Sequence, residues 1–372
     1  MNQATSSPTL YLAFELGKKQ WRLAFTVGLG QPPRERTIAA GNLTALQREI
    51  ALAKKRFGLP EDARVLSCYE AGRDGFWLHR YLAAHGVENY VVDSASIEVN
   101  RRARRAKTDH LDVGKLVTML IRFDAGDQRV WSVVHVPDPQ VEDRRHLHRQ
   151  LATLKADCTR HRNRIQGLLA GQGVRLPVKA DFLEQLARVR LWDGSPLPEG
   201  LRTRLEQEYA ALQFTEEQIR TLEAQRRQII RTSDDPLIQQ VRRLMALRAI
   251  GENIAWVLVM ELFGWREFRN RRQVGGLSGL VPVPHQSGEE EREQGISKAS
   301  QALIRAIAVE LAWCWLRYQP ESALSQWYWQ RFGNGSKRQR KIGIVALARK
   351  LLIALWRYLK FGEVPAGARM KA

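Results

Sequence analysis

The order of short apolar runs and helical stretches over the first 125 residues constrains this chain more than any single motif does. TLYLAFEL, QWRLAFTVG and RERTIAAG read as three successive strands, the third the weakest of them. NLTALQREIALAKKRFG has helical spacing and stops at Gly58, a residue suited to the left-handed turn that ends helices. RVLSCYE, GFWLHRYLAAHG and ENYVVDS then read as strand, helix and strand, and LDVGKLVTMLIRF as a further helix. The order β-β-β-α-β-α-β-α predicts a mixed sheet flanked by helices. It gives way near residue 125 to GDQRVWSVVHVPDPQ, an extended connector with two prolines.

The middle third has another character. VEDRRHLHRQLATLKADCTRHRNRIQGLLAG and LRTRLEQEYAALQFTEEQIRTLEAQRRQIIRT are long, charged and helical, joined by the Pro-containing VRLPVKADFLEQLARVRLWDGSPLPEG. Leu201, Leu205, Ala211 or Leu212, and Ile219 keep an approximate seam, which predicts an antiparallel coiled-coil arm. From residue 234 compact helical segments return, interrupted by the Gly-, Ser- and Pro-rich QVGGLSGLVPVPHQSGEEEREQGISK, expected as a flexible loop. The expected organisation is therefore an α/β domain over residues 1–133, an arm with its connector over 134–233, and an all-α domain over 234–372.

Charge narrows the partners. Fifty-nine Lys plus Arg against 39 Asp plus Glu leave a formal charge of +20. In a chain with enough apolar residues to fold, this points first to nucleic acid, whose phosphates reward bound cations by releasing counterions. Arg outnumbers Lys, which suits forked contacts to phosphate. A membrane surface is the weaker alternative, because no basic amphipathic tail stands out. Cys68, Cys158 and Cys314 are widely separated and form neither a disulfide framework nor a zinc pattern. The start MNQATSSPTL has no basic segment followed by an apolar core, and no long window is free of charge. The expectation is a soluble cytoplasmic protein, nucleoid-associated when bound to DNA.

The strip RRARRAKTDHLDV carries Arg101, Arg102, Arg104, Arg105 and Lys107 and runs straight into Asp109 and Asp112. On a helix the i, i+3 spacing puts both carboxylates on one face, although acidic residues also decorate helix starts for the sake of the dipole. Glu15 stands inside an apolar strand, where an unpaired charge is costly, and Glu70 ends another strand just before AGRDG. Acidic groups at two strand ends and on a later helix would converge at one edge of the sheet. Oxygen ligands of this kind suit Mg²⁺ or Mn²⁺, and a pair of such ions can clamp the attacking and leaving oxygens of phosphoryl transfer.

Glu15, Glu70, Asp109 and Asp112, in this order and spacing, resemble the DEDD tetrad of the RuvC-like, RNase H-like domain of one group of insertion-sequence transposases. This is the insertion-sequence family numbered one hundred and ten, the bridge-RNA-guided recombinases, which also includes pilin-gene invertases. KTDHLDV resembles the family's K-T-D-x-x-D and CYEAGRDGFWL its E-A-T/S-G segment; the first position is normally Asp, and here it is Glu15. VPVPHQSGEEEREQGISKASQALIR resembles the family's second half, and the matched serine is Ser287. On its residues alone Ser287 reads as a turn serine with His285 nearby. The resemblance makes it the nucleophile that joins DNA phosphate, ahead of Ser278, Ser297 and Ser300, with Ser297 beside Lys298 reading as a helix cap.

The resemblance further implies a DNA recombinase of a bacterial mobile element. Carboxylate-bound metal would cooperate with the serine, and a structured bridge RNA would pair with donor and target double-stranded DNA. A homo-oligomer, a dimer or a tetramer built as a dimer of dimers, would complete its sites through the arm. LRAIGENIAWVL resembles a phosphate-contacting hairpin between helices, with Ala249 where a Gly is usual. GNGSKRQRK offers Lys337, Arg338, Arg340 and Lys341 to phosphate or RNA. Trp313, Trp315, Trp327 and Trp329 could stack on bases but at their spacing suit core packing, and HLH at 146 and 148 reads as a solvated face. Two rivals remain from the residues: a metal-dependent junction endonuclease without serine chemistry, and a non-catalytic basic nucleic-acid-binding protein.

Overall fold

A computed structural model of the chain describes residues 8–73, 75–97, 109–287, 290–297 and 302–371. It divides into two compact units, Met1–Val136 and Pro137–Ala372. Among the described residues no helix is long and apolar enough to cross a membrane.

The first unit is a three-layer α/β/α sandwich. Its strands are β1 (Leu10–Leu16), β2 (Gln20–Thr26), β3 (Arg34–Ala39), β4 (Val65–Glu70) and β5 (Val87–Val92). Its helices are α1 (Leu43–Arg56), α2 (Trp77–Ala84) and α3 (Asp109–Asp124). The sheet order is β3-β2-β1-β4-β5; β1 pairs antiparallel with β2 and parallel with β4, and β4 pairs parallel with β5. The alternation of side chains along each strand sorts the core into two layers. Leu10, Leu12 and Phe14 pack with Leu46 and Ile50 of α1 and Leu78 and Leu82 of α2. Ala13, Leu66, Cys68 and Val92 pack on the opposite face with Val113, Leu116, Val117 and Leu120 of α3.

Local chemistry sets the element ends. The Asn42 side chain accepts from the Ala45 amide at 2.9 Å and caps α1, and Gly58 follows the helix at φ 65°. Gly17 closes the β1–β2 turn, where a Cβ would come within 2.5 Å of the Gln20 carbonyl oxygen. The expected extended connector is tied to the edge of β5, with Val134 N–H donating to Val91 O at 2.7 Å and Val130 and Trp131 buried below it.

The second unit begins with α4 (Pro139–Ala170), followed by α5 (Phe182–Arg188) and α6 (Glu199–Thr232). At 32 and 34 residues, α4 and α6 are about 48 and 51 Å long. Ion pairs from Lys155 to Glu223, Arg162 to Glu216 and Arg164 to Glu208 run in opposite sequence directions, so the two helices lie antiparallel. Leu205, Tyr209 and Leu212 are buried in the core that these helices share with α5, whereas Ala211 is only partly buried.

The rest of the unit comprises α7 (Pro236–Met245), α8 (Glu252–Leu258) running into a π-helical turn at Val259–Phe263, and α9 (Arg271–Ser278). A hairpin of β6 (Pro282–Ser287) and β7 (Glu290–Ile296) comes next, then α10 (Ala302–Tyr318), α11 (Ala323–Phe332) and α12 (Lys337–Phe361). This region was expected to be all-α, with a loop at the Gly/Pro-rich stretch; it is helical but carries a two-stranded hairpin. Pro282 and Pro284 obscure the strand pattern, yet both strands of a ribbon are edges, where a residue without an N–H is tolerated.

His148, expected on a solvated face, is 3% exposed. Its Nε2 lies 2.9 Å from Oε1 of Glu261, a fully buried carboxylate in the π-turn that also accepts from Arg145 and Arg149. Burial pushes the Glu261 carboxyl up, but the His148 and Arg149 hydrogen bonds and the Arg145 charge outweigh it and hold it at about 2. Between α7 and α8, Ala249 sits at φ 79°, the only non-glycine with positive φ among the described residues. The chain's end straps this turn: Arg248 N–H donates to Arg369 O at 3.0 Å and Lys371 Nζ donates to Ile250 O at 2.7 Å.

Two stability measurements check these features. Glu261→Gln leaves buried cations short of their counter-charge and is expected to cost roughly 3–5 kcal/mol at neutral pH in denaturant titration. A depressed carboxyl stabilises the fold above its ordinary value of 4.5 and loses that contribution as pH falls toward about 2. The wild type should therefore lose stability over that window and the variant should show a shallower decline. Ala249→Gly relieves a left-handed alanine and should raise stability by about 1 kcal/mol; an unchanged or lowered melting temperature would contradict the strain.

Candidate functional site

The parallel register fixes the first part of the site. β1 and β4 pair with a constant offset, Leu10 to Val65 through Phe14 to Tyr69, so the next step brings Glu15 level with Glu70. Both residues fall on the Ala13–Cys68 face, the one that α3 covers. Their backbones are about 4.8 Å apart, the spacing of neighbouring strands. Glu70 is exposed at the strand end, while Glu15 is half-buried with its Oε2 sealed from solvent. The Glu70 charge reaches the same face from the strand end: burial first, and then that charge, push the Cys68 thiol up.

α3 runs against the direction of β1 and β4. Asp124 at its carboxyl end accepts from Tyr11 Oη at 2.7 Å and from Arg64 at 3.0 Å, at the starts of both strands. Burial and the Asp124 hydrogen bond push the Tyr11 phenol up to about 12. Midway along the helix, Cys68 Sγ lies 3.9 Å from Leu116 O. From Asp124 back to Asp112 the helix covers about 18 Å, whereas Tyr11 to Glu15 covers about 13 Å of strand. The first turn of α3 therefore lies at the carboxyl edge of the sheet. Asp109 and Asp112 take the positions that continue the buried stripe Val113, Leu116, Leu120 by one turn; their side chains lie outside the described set.

Sequence, register and helix direction thus bring the backbones of Glu15, Glu70, Asp109 and Asp112 to one edge. Among the described side chains no group of three His, Cys, Asp or Glu forms a metal centre. The donor chemistry nonetheless fits a hard divalent cation. Two carboxylates on adjacent strands at the same level offer oxygen donors of the kind such an ion takes. Asp93, directly after β5, stands at the same edge and was not singled out from sequence, although it shares with Glu70 the signal of an acid closing a strand.

The serine belongs to the second unit. Ser287 ends β6 opposite Glu290 of β7, one residue on each side of the hairpin tip. At the hairpin base, Ser297 N–H donates to Val281 O at 2.9 Å; Lys298 and Ser300, and with them the expected helix cap, lie outside the described residues. Ser278 is fully buried, its hydroxyl donating to Gly275 O at 2.7 Å, and cannot meet a substrate.

The basic candidates divide. Arg101, Arg102, Arg104, Arg105 and Lys107 lie outside the described residues. Lys337, Arg338, Arg340 and Lys341 are exposed, but in the first turns of α12 rather than in a loop, behind a Ser336–Gln339 capping box. Four cations there oppose the helix dipole, a local cost that bound phosphate would remove. Of the tryptophans, Trp315 is core, with its indole N–H on Ser322 Oγ at 2.8 Å, whereas Trp313 and Trp329 are about half exposed.

Residues 241–326, spanning the α7–α8 turn and the serine hairpin, match the model of the transposase IS116/IS110/IS902 family. A Sinorhizobium fredii protein named as a transposase, y4rJ, is 38% identical over 97% of this chain and 94% of its own length. The transposase for insertion sequence element IS1328 of Yersinia enterocolitica is 28% identical over 60% of this chain and 65% of its own. The transposase for insertion sequence element IS1111A of Coxiella burnetii is 25% identical over 53% of each.

The edge geometry can be checked without DNA. Glu15→Gln and Glu70→Gln are each expected to weaken Mn²⁺ binding, followed by electron paramagnetic resonance, roughly tenfold or more, as loss of one charged ligand does. Wild-type affinity in both variants would place the cation elsewhere.

Proposed function

Since the chain belongs to the IS116/IS110/IS902 transposase family, we propose that it is an RNA-guided DNA recombinase that cuts and rejoins strands through a phosphoserine at Ser287. The carrying observation is the pair of separate chemistries on one chain: an acidic sheet edge in the first unit and a serine at the end of a hairpin strand in the second. The first unit is read as RuvC-like, a reading supported by four acidic sequence positions whose backbones fall at one edge of the sheet. The paired helices α4 and α6 are read as a coiled-coil arm that brings protomers together as dimers, and as dimers of dimers on DNA.

In this reading Glu15, Glu70, Asp109 and Asp112 hold Mg²⁺ or Mn²⁺, which when bound supplies positive charge to phosphoryl oxygens. The Ser287 hydroxyl attacks phosphorus, one P–O bond to deoxyribose breaks and a Ser–O–P ester forms. The proton lost by the serine is balanced by the one the departing deoxyribose oxygen gains. Attack by another strand's hydroxyl reverses the step, so strands are exchanged without an external energy source. Lys337, Arg338, Arg340 and Lys341 hold phosphate, and the Arg101–Lys107 strip does the same beside the acids. Sequence choice falls to a structured RNA paired with donor and target DNA, while the protein binds backbone and shape.

The test is a reaction in cells carrying the gene with its flanking DNA, stopped in denaturant. Wild type is expected to yield DNA covalently attached to protein, and Ser287→Ala none. Cut DNA with free ends in both would favour a hydrolytic junction nuclease. Recombination intact in Asp109→Asn or Asp112→Asn would remove the carboxylates from the chemistry.

A further inference from the structure

The second unit contains a groove of which the reading above uses only two rim cations, Arg338 and Lys341. It is a cavity of about 770 Å³ between the base of the serine hairpin and one face of α12, within the range of roughly 300–1,000 Å³ typical of small-molecule sites. Pro282 and Ile296 form the hairpin side; Ile342 and Val345 of α12, with Trp327 of α11, form the apolar floor. Around them stand five cations, Arg271, Arg338, Lys341, Arg349 and Lys350, and among the described residues no carboxylate lines the cavity.

Two details show that the groove is kept open and charged. A Cβ on Gly275 of α9 would come 3.1 Å from Arg349 Nε, so the bare glycine leaves room for that guanidinium. Lys350 Nζ lies 4.5 Å from the centre of the Trp327 ring. Arg271, Arg338, Lys341 and Arg349 make no ion pair with any described residue.

We propose that this groove receives an unpaired nucleotide of the DNA strand being cut, its base against Trp327, Ile342 and Val345 and its phosphates on the surrounding arginines and lysines. The idea rests on the recombinase reading and adds a strand-holding site to it. A flat apolar floor inside a ring of cations matches a nucleotide, which carries an aromatic base and an anion on one unit. Forked guanidiniums on three of the five cations match the paired oxygens of a phosphate. Along α12 the cations Arg338 and Arg349 are about 16 Å apart, room for more than one phosphate. β6 runs from Pro282 in the groove wall to Ser287 at the tip, about 17 Å of strand. A strand seated here therefore leads toward the proposed nucleophile.

The measurement is fluorescence anisotropy with the full-length protein and a labelled oligothymidylate of about fifteen nucleotides, beside a blunt DNA duplex and an oligouridylate of the same length. Ile342 is 54% exposed, so Ile342→Glu places a carboxylate in the groove without disturbing the core; Trp327→Ala is the second variant. Each is expected to weaken oligothymidylate binding roughly tenfold or more, the worth of one stacked base, and duplex binding less than twofold. An equal loss for both DNA probes would reduce the groove to a general basic surface and overturn the proposal. So would unchanged oligothymidylate binding, a site selective for the RNA probe, or a change confined to sedimentation, which would make the occupant a second copy of the chain. Binding is read without cutting, so absence of the Ser287 adduct and failure of the groove are separate results.

Discussion

The parallel pairing of β1 with β4 is the constraint on which the first unit depends. A parallel pair cannot leave either face in water, because the strands are apolar on both. α1 and α2 cover one face, and the other must be closed by a helix that arrives after β5. That helix is pinned by Asp124 to the beginnings of β1 and β4, so its first turn can only be at their ends. The location of the acidic edge is therefore a consequence of covering the sheet. Glu15 and Glu70 follow from strand register, Asp109 and Asp112 from helix direction.

In the second unit the corresponding anchor is electrostatic. A carboxylate removed wholly from water stays ionised only if enough positive charge and hydrogen bonds surround it. Glu261 has Arg145, His148 and Arg149, three side chains from consecutive turns of α4. One buried anion thereby fixes the root of a long helix onto the π-turn, where backbone geometry already departs from the α-helix. The far reaches of α4 and α6 are held by ordinary packing and surface ion pairs, each worth little. The helix pair is therefore rooted firmly at one end and lightly held along its length.

Much of the first unit was legible because its periodicities are unambiguous. The strands TLYLAFEL and RVLSCYE and the helix ending at Gly58 needed only alternation, helical spacing and one glycine. The shared level of Glu15 and Glu70 was not legible, since register belongs to the pairing of two distant strands. The hairpin of β6 and β7 was hidden by two prolines and by charged residues that give no alternation. His148 misled because a histidine between an exposed helix face and a buried one looks the same in sequence; its partner Glu261 lies 113 positions away. The nucleophile rests wholly on resemblance, as a serine before a glycine carries no physical signature of its own.

Places where local rules are broken tend to coincide with places of function, because elsewhere nothing opposes their correction. Cations crowd the start of α12, and two acids stand level on adjacent strands. Ala249, in contrast, breaks a backbone rule under a strap of tail hydrogen bonds that supplies a structural reason for it. The glutamate at position 15 is one of those two acids. β1 is bonded to β2 on one side and β4 on the other, so its backbone cannot slide to accommodate a longer acid. The additional methylene has to be absorbed by the side-chain torsions, whose staggered wells are few. What the longer acid alters is therefore the angle from which the carboxylate meets the edge, with the strand beneath it unchanged.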